Sequence, residues 1–325
     1  MWHSADFINL SSAAGTVARM LHETASQGHL ARDVALASSA LTLGALLVAR
    51  RWLPELIAQP VQSFLPWLLA PTLLVAAVAL ATGSRVGLLA VALPIATWAV
   101  LFVPQLVAGP GSETDTGEFR VATQNLGTGG PAPALADVPV VAVQELTDRN
   151  RPAVTTTLDP AHPYAATVGT VGLWSRYPLT DIQRLDLGQG WARALRTRMH
   201  TPTGEVTVYA VHLGSVRFGD TDSRNRTLRT LSDLVHQDPA DRLLILGDLN
   251  TASTDPHLST LTDTLHDARS GFGFTWPSPF PLTRPDHILT RGFTTRAAAV
   301  LPPTAGDHRA TTATLTPTQS PQHSR

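Results

Sequence analysis

The sequence predicts an α/β (α+β) domain of two packed, mixed β-sheets flanked by helices, preceded by an N-terminal three-helix transmembrane segment. Three observations lead to this prediction. Long uncharged apolar runs occupy the first third of the 325-residue chain. The composition then changes abruptly at a segment rich in Gly, Pro, Ser and Thr. The remaining ~200 residues contain many short β-rich runs and few helical stretches, which favours two packed sheets over a simple alternating parallel sheet.

The apolar runs have the length of membrane spans. They contain 16, 19 and 23 residues, at 34–49, 64–82 and 86–108. A hydrocarbon core of about 30 Å needs about 20 apolar residues in a helix, and the first run reaches that length with its flanking residues. The predicted spans are about 34–50, 64–82 and 86–108, after a polar N-terminal segment at 1–33.

Two simpler interpretations of these runs fit less well. A signal peptide would have a charged region of over thirty residues before its apolar core and would not be followed by two more apolar runs. Buried core helices would show a polar stripe at helical period, which the second and third runs lack. The orientation rests on few charges: Arg19, Arg32 and Arg85 favour an exported C-terminal domain, whereas Arg50 and Arg51 favour the reverse. We expect a multi-pass protein of the cell membrane with an extracytoplasmic catalytic domain.

The C-terminal part reads as one domain. Residues 109–117 form the predicted linker, 118–316 the catalytic domain, and 317–325 a polar tail that we expect to be disordered. Helices are expected chiefly at 223–236 and 257–267. The β-rich runs are FRVATQNL, VPVVAVQEL, TVGLWSRYPL, ARALRTRMH, EVTVYAVHLG, LLILGDLN, PDHILTRG and RATTATL.

The composition excludes several kinds of enzyme. All 24 basic residues are arginine, and the chain has neither lysine nor cysteine. Schiff-base chemistry and the Walker phosphate loop need lysine. Thiolate nucleophiles, Cys-ligated zinc and disulfides need cysteine. Any catalysis therefore depends on His, Asp, Glu, Asn, hydroxyl groups or a metal bound by oxygen and nitrogen.

Polar side chains follow several of the apolar β-rich runs. Taken singly, each has an ordinary structural explanation: Asn125 could cap a turn, Asp248 could form an Asx turn, and His212 could be a half-buried imidazole. Together they are the residue types that bind a hard cation or a phosphate. The full set is Asn125, Glu145, His212, Asp248, Asn250, Asp286, Asp307 and His308.

The ordered motifs resemble the endonuclease/exonuclease/phosphatase superfamily. The similarity covers about 118–316 and runs through QEL, GLWSRYPL, YAVHL, ILGDLN, RPDHIL and GDHR, of which GDLN with a later DHR is the most specific. The resemblance implies a four-layered, DNase I-like sandwich. It also implies hydrolysis of a phosphate ester by water, assisted by a bound metal.

The resemblance also implies roles for individual residues. Asn125, Glu145 and Asp307 would form the metal site, for Mg²⁺ or alternatively Mn²⁺. The remaining residues would act on the substrate and the attacking water, with the choice of base left open between Asp248 and His308. These catalytic residues are His212, Asp248, Asn250, Asp286 and His308. One departure from the family pattern is Gly306, which stands where Ser is usual.

Charge and location bear on the substrate. From Ser112 onward the chain has 19 Arg and 21 acidic residues, a balance that disfavours nucleic acid. Arginines cluster at 193–198 and 217–229, either as a salt-bridged surface or as a pocket for phosphate or pyrophosphate. The architecture resembles the membrane-anchored bacterial branch of the superfamily associated with glycopeptide resistance. That resemblance implies a cell-envelope phosphatase whose substrate bears a phosphate or pyrophosphate, such as an isoprenyl lipid. The alternatives are a membrane-tethered nuclease and a non-catalytic protein that binds a phospholipid or a partner. The oligomeric state is left open.

Overall fold

The structure is a computed structural model that describes residues 10–107, 118–215 and 221–318. Two compact units are present. The first comprises Met1–Arg50 and Pro66–Leu101, and the second Arg51–Leu65 and Phe102–Arg325. The predicted linker at 109–117 and residues 319–325 of the predicted tail lie outside the described residues.

The N-terminal helices are long and apolar, as predicted. They are α1 (Leu10–Ala49), α2 (Glu55–Phe64), α3 (Leu69–Ala81) and α4 (Arg85–Val107), with a 3-10 turn at Leu65–Leu68 between α2 and α3. Three segments have the length and composition of a membrane span: Gln27–Ala49, Ile57–Ala81 and Arg85–Leu106. The first helix begins at Leu10, so the predicted polar segment at 1–33 is in part helical. The second span starts earlier than predicted because the helix preceding Pro66 continues into the apolar run.

The first sheet has six strands in the order β11-β12-β1-β2-β4-β3. Only β1 and β2 pair in parallel, and the other neighbours are antiparallel. The strands are β1 (Phe119–Asn125), β2 (Val140–Gln144), β3 (Tyr164–Val168), β4 (Val171–Ser175), β11 (Phe293–Val300) and β12 (Thr311–Pro317). The last strand takes up Pro317, the first residue of the predicted tail.

The second sheet repeats this plan, in the order β5-β6-β7-β8-β10-β9. Here β7 and β8 are the parallel pair, and the other neighbours are antiparallel. The strands are β5 (Leu179–Leu185), β6 (Ala194–Thr201), β7 (Gly204–His212), β8 (Leu243–Asp248), β9 (His266–Asp267) and β10 (Asp286–Arg291).

Apolar faces on both sides of each sheet produce four layers. The core between the sheets includes Val121, Val140, Leu195 and Leu246. The outer face of the first sheet packs against α5 (Arg151–Leu158) and a 3-10 turn at Pro133–Asp137. The outer face of the second packs against α6 (Asp222–Gln237) and α7 (Ser259–Thr262). The helix expected at 223–236 is confirmed. The one expected at 257–267 was wrong in extent, because β9 begins at His266.

A buried ion pair fixes the connection into β10. Arg284 Nη1 and Nη2 donate to Asp267 Oδ2 and Oδ1 at 2.5 and 2.7 Å, and the Arg284 side chain is 2% exposed. Burial raises the pKa of Asp267, but Arg284 and His287 outweigh it and hold the pKa well below its usual range. The pair is therefore charged in the folded chain.

We expect Arg284→Met to lower the free energy of unfolding by about 3–5 kcal/mol, because it leaves the carboxylate of Asp267 without its buried partner. Arg198→Met is the control: Arg198 lies 3.2 Å from Asp181, with both side chains about half exposed, and its loss should cost less than about 1 kcal/mol. Urea unfolding of both variants measures the difference. Equal losses would show that the buried pair adds no more than a surface pair.

Candidate active site

Sheet topology brings the polar residues to one edge. In a parallel pair the carboxyl ends lie together, so Asn125 at the end of β1 meets Glu145, which follows β2. In the same way His212, the last residue of β7, is in register with Asp248, the last of β8. Because β10 runs antiparallel to β8, its first residue, Asp286, also pairs with Asp248.

Two further segments reach this edge. Since β12 is antiparallel to β1, the Asp307-His308 pair preceding β12 arrives beside the end of β1. Asn250 lies just beyond β8 with a positive φ of 47°, and its backbone N–H donates to Asp248 Oδ1 at 2.8 Å. All eight residues singled out in the sequence therefore lie at the same edge of the sandwich.

The amide of Asn125 joins two carboxylates. Its Nδ2 donates to Glu145 Oε1 at 3.1 Å and to Asp248 Oδ2 at 2.9 Å, while its Oδ1 accepts the N–H of Gly127. The Asp248 side chain is 2% exposed, whereas that of Glu145 is 44% exposed and opens to solvent. Two carboxylates that converge on one amide, one of them accessible, provide the oxygen donors that a hard divalent cation prefers.

A carboxylate–imidazole pair lies next to this pocket. His308 Nδ1 is 2.8 Å from Asp286 Oδ2, which also accepts the hydroxyl of the buried Thr275. Burial lowers the pKa of His308, but the charge and hydrogen bond of Asp286 outweigh it, and with Asp248 and Asp307 they raise the pKa to about 10. Asp248, Asp286 and His308 each place an atom within 4.8 Å of the others. The carboxylates around this imidazole therefore favour its protonated form.

Glycines let two loops approach each other at the rim. A Cβ at Gly306 would lie 2.6 Å from the carbonyl oxygen of Leu126, and one at Gly127 would lie 2.1 Å from Asp307 Oδ1. Asp307 is exposed and packs on the α-carbon of Gly127. The glycine at 306 is therefore required by the close approach of the chain to Leu126, which leaves no room for a serine side chain.

The predicted arginine group 193–198 separates in the structure. Arg196 Nε donates to Asp238 Oδ2 at 2.7 Å, and Arg198 pairs with exposed carboxylates. Arg193 instead reaches the site: its Nη2 contacts Nδ1 of His212 and lies 2.8 Å from Nε2. The sequence left this group open between a salt-bridged surface and a phosphate pocket, because alternation along a strand does not show that β6 begins at the catalytic edge.

His212 is a buried neutral imidazole. Its Nε2 is 3.7 Å from Asp248 Oδ2 and 3.9 Å from Glu145 Oε1, and its side chain is 2% exposed. Burial lowers the pKa of His212 to about 4, with Arg193 and His308 acting in the same direction and Asp248 against it.

We expect this histidine to make the protein less stable in acid. The unfolded chain binds a proton near pH 6.5, before the folded chain does near pH 4. The free energy of unfolding should therefore fall between about pH 6.5 and 4, by about 3 kcal/mol at 1.36 kcal/mol per pKa unit. Urea midpoints across this range for wild type and His212→Gln measure the effect. A pH dependence that is the same in both would contradict it.

Comparison with known proteins identifies the fold. The Endonuclease/Exonuclease/phosphatase family matches residues 120–308. A family protein from Bacteroides vulgatus has 16% identity and a TM-score of 0.51, covering 62% of this chain and 99% of its own. A mannosyl-6-phosphatase from Bacteroides thetaiotaomicron has 16% identity and a TM-score of 0.50, covering 61% and 99%. TDP2 of D. rerio, solved with a single-strand DNA product, has 14% identity and a TM-score of 0.49, covering 62% and 99%.

None of the curated proteins matches the sequence. At 16% identity, the two Bacteroides structures show a likeness of fold alone. The family match spans more than half of the chain and contains every strand-end residue of the site. The chain therefore belongs to the Endonuclease/Exonuclease/phosphatase family.

Proposed function

We propose that this protein is a membrane-anchored, metal-dependent phosphoesterase that hydrolyses a phosphate or pyrophosphate ester of a cell-envelope lipid by attack of water. The observation that supports it best is the pocket in which Asn125 joins Glu145 and Asp248, beside the Asp286–His308 pair. Members of the family hydrolyse phosphate esters with a divalent metal, and this arrangement provides both the oxygen donors and the proton-handling groups for that reaction.

The metal-binding residues of this proposal are Glu145, Asn125 and Asp307. The carboxylate oxygens of Glu145 and Asp307 suit Mg²⁺, with Mn²⁺ as the alternative. Asn125 directs its Nδ2 at the carboxylates in this structure, so it would offer Oδ1 to a cation only after its amide turns over and releases the N–H of Gly127. When bound, the cation neutralises charge on the phosphoryl oxygens. Asp307, which is exposed at the rim, would add a further carboxylate to the donor set.

The protein's own groups divide the proton transfers between them. Asp248, fixed by Asn125 and by the backbone of Asn250, orients the attacking water and accepts its proton. His308, held protonated by Asp286, donates from Nε2 to the phosphate or to the leaving oxygen. This division assigns the base to Asp248, since a protonated imidazole cannot accept a proton. His212 and Asn250 donate N–H groups to other phosphate oxygens.

The membrane helices and the charges favour a lipid substrate over nucleic acid. Within the second unit, Arg269 Nη1 donates to Gln105 Oε1 at 2.7 Å, so the end of α4 contacts the catalytic loops. Arg196 and Arg198 are paired with carboxylates, and Arg224 and Arg284 are buried in ion pairs, so these four arginines offer little charge to a nucleic acid backbone. An active site tethered to the membrane can encounter a lipid phosphate of the same membrane by lateral diffusion alone.

The test compares substrates with the full-length protein in detergent. We expect release of phosphate from a polyprenyl pyrophosphate, loss of release with EDTA, and recovery with Mg²⁺ or Mn²⁺. Nicking of plasmid DNA without lipid turnover would establish the nuclease instead. Phosphate release that never exceeds the no-enzyme blank, and is the same in wild type, Asp248→Ala and His308→Ala, would indicate a non-catalytic binding protein.

Orientation needs a separate measurement. The measurement uses a reporter enzyme that is active only outside the cytoplasm, fused at the C-terminus. The fusion should be active if the catalytic domain is extracytoplasmic. An inactive fusion, with a cytoplasmic reporter active at the same position, would remove an envelope substrate from consideration.

A further inference from the structure

Arg193 holds a charge at the catalytic edge that no described carboxylate pairs with. It lies one residue before β6, where its backbone oxygen accepts the N–H of His212 at 3.0 Å. Its guanidinium contacts the ring nitrogens of His212. Asp248 and Glu145 act on it only at longer range, and they oppose the lowering of its pKa by burial. The site thus has a fixed cation beside the two carboxylates.

This guanidinium has unused hydrogen-bonding capacity. Its Nε is buried and has no hydrogen-bond partner among the described residues. A buried donor without a partner is costly unless a ligand satisfies it. Arg196 and Arg198, which lie on β6, each form an ion pair with a carboxylate from another part of the chain. Arg193 is instead aimed at the space beside His212.

Trp191 and the β5–β6 connection hold this guanidinium in place. The Arg193 Cζ lies 5.0 Å from the centre of the Trp191 ring, a cation–π distance. Asp186 Oδ1 accepts the backbone N–H groups of Gly188, Gln189 and Gly190 at 2.9, 2.9 and 3.2 Å. The ring contact orients the guanidinium, and the bonds to Asp186 shape the turn that precedes it.

We propose that Arg193 binds a non-bridging oxygen of the phosphate under attack, and that Trp191 positions its guanidinium. This assignment deepens the proposed function and rests on it. Negative charge grows on the phosphoryl oxygens during transfer, and an oriented guanidinium stabilises that charge without reorganisation. The chain has no lysine, so a fixed side-chain cation here must be arginine or a protonated histidine. Arg193 supplies that charge beside His212.

The test uses Arg193→Met and Arg193→Lys, with Arg198→Met as the matched control on the same strand. The readouts are kcat and KM for phosphate release from a polyprenyl pyrophosphate and from p-nitrophenyl phosphate at saturating Mg²⁺. We expect Arg193→Met to lower kcat/KM by about 100-fold or more, mostly through kcat, and Arg193→Lys by about 10-fold. Arg198→Met should stay within about twofold of wild type. Arg193→Met within threefold of wild type would overturn the assignment.

Binding of inorganic phosphate separates this inference from the proposed function. In calorimetry with Mg²⁺ present, we expect the Kd for phosphate to rise about tenfold in Arg193→Met and to be unchanged in Arg198→Met. A wild type that binds phosphate through Arg193 but hydrolyses neither ester would sink the proposed function, and with it the role in attack, while confirming the contact between Arg193 and phosphate. Equal phosphate binding by wild type, Arg193→Met and Arg193→Lys would sink the assignment even if the enzyme is active.

The positioning role of Trp191 has its own outcome. Trp191→Ala should lower kcat about tenfold with little change in KM, and Trp191→Phe, which keeps an aromatic face, should restore most of it. In the Arg193→Met background, Trp191→Ala should add nothing further, because its effect acts through the guanidinium. An equal loss in both backgrounds would assign Trp191 a general structural role instead.

Discussion

Asp248→Asn is expected to lower the turnover of phosphate-ester hydrolysis by about a thousandfold or more. The amide keeps the size of the side chain but cannot accept a proton from water, and general-base catalysis alone contributes about 10²–10⁴-fold. Asp248 is also one of the two carboxylates joined by the Asn125 amide at 2.9 Å, so the substitution removes negative charge from the pocket as well. The measurement is kcat on the substrate identified by the screen, with Mg²⁺ restored after EDTA.

The fold should survive this change. Asparagine keeps the shape of the side chain and one oxygen that can accept the N–H of Asn250. The substitution also removes one of three negative charges at this edge, since Asp248 lies there with Glu145 and Asp286, and this relieves like-charge repulsion. Asp263→Asn is the matched control, because Asp263 is an exposed carboxylate at the end of α7. Asp263→Asn should leave kcat unchanged. Retention of more than a tenth of the activity in Asp248→Asn would show that another group is the base.

The strands that the sequence predicted are the inner strands of the two sheets. All eight β-rich runs correspond to strands with neighbours on both sides: β12, β1, β2 and β4 in one sheet, and β6, β7, β8 and β10 in the other. Inner strands covered on both faces are continuously apolar, as in LLILGD, whose six residues are all buried. Such runs can be recognised without any knowledge of their partners.

The four strands that were missed are the four edge strands. β5 is almost entirely exposed and reads LTDIQRL, and β11 contains three alanines and an arginine. Edge strands have one neighbour and carry polar or charged residues that discourage further pairing. Their sequences therefore resemble loops, and only the tertiary pairing identifies them. The short helix α5 was missed for a similar reason, since its eight residues bury only two side chains.

The candidate site was more predictable than the fold around it. Five of its residues end or follow strands of the two parallel pairs: Asn125, Glu145, His212, Asp248 and Asn250. The other three, Asp286, Asp307 and His308, begin or precede the antiparallel strands β10 and β12, which brings them to the same edge. What the sequence could not show is contact across the chain, such as the bond from Asn125 to Asp248, which are 123 residues apart. The role of Arg193 depends on the same kind of contact. The proposed choice of Asp248 rather than His308 as the base likewise depends on the contact of His308 with the buried Asp286, which the sequence does not show.

Asp286 and His308 are expected to act as one unit. Asp286→Asn and His308→Gln should each lower kcat by about 10²–10³-fold. The kcat of the double variant should be close to that of the less active single variant. The physical reason is that Asp286 acts only through the imidazole, to which it is joined at 2.8 Å. Additive losses in the double variant would mean that Asp286 contributes separately, for example through Thr275.

The pH dependence of kcat tests the direction of this coupling. In wild type, the Asp286 carboxylate outweighs the effect of burial and raises the pKa of His308 to about 10, so an imidazolium that donates a proton stays competent across neutral and mildly alkaline pH. Asp286→Asn removes that charge, and the pKa of His308 should then fall, because the largest contribution that opposes burial is lost while only those of Asp248 and Asp307 remain. The residual activity of Asp286→Asn should therefore decline with rising pH well before that of wild type. An alkaline limb at the same pH in both proteins would show that the imidazolium of His308 is not the acid. If His308 were the base, the sign would reverse, and Asp286→Asn would gain activity relative to wild type as the pH rises towards neutrality.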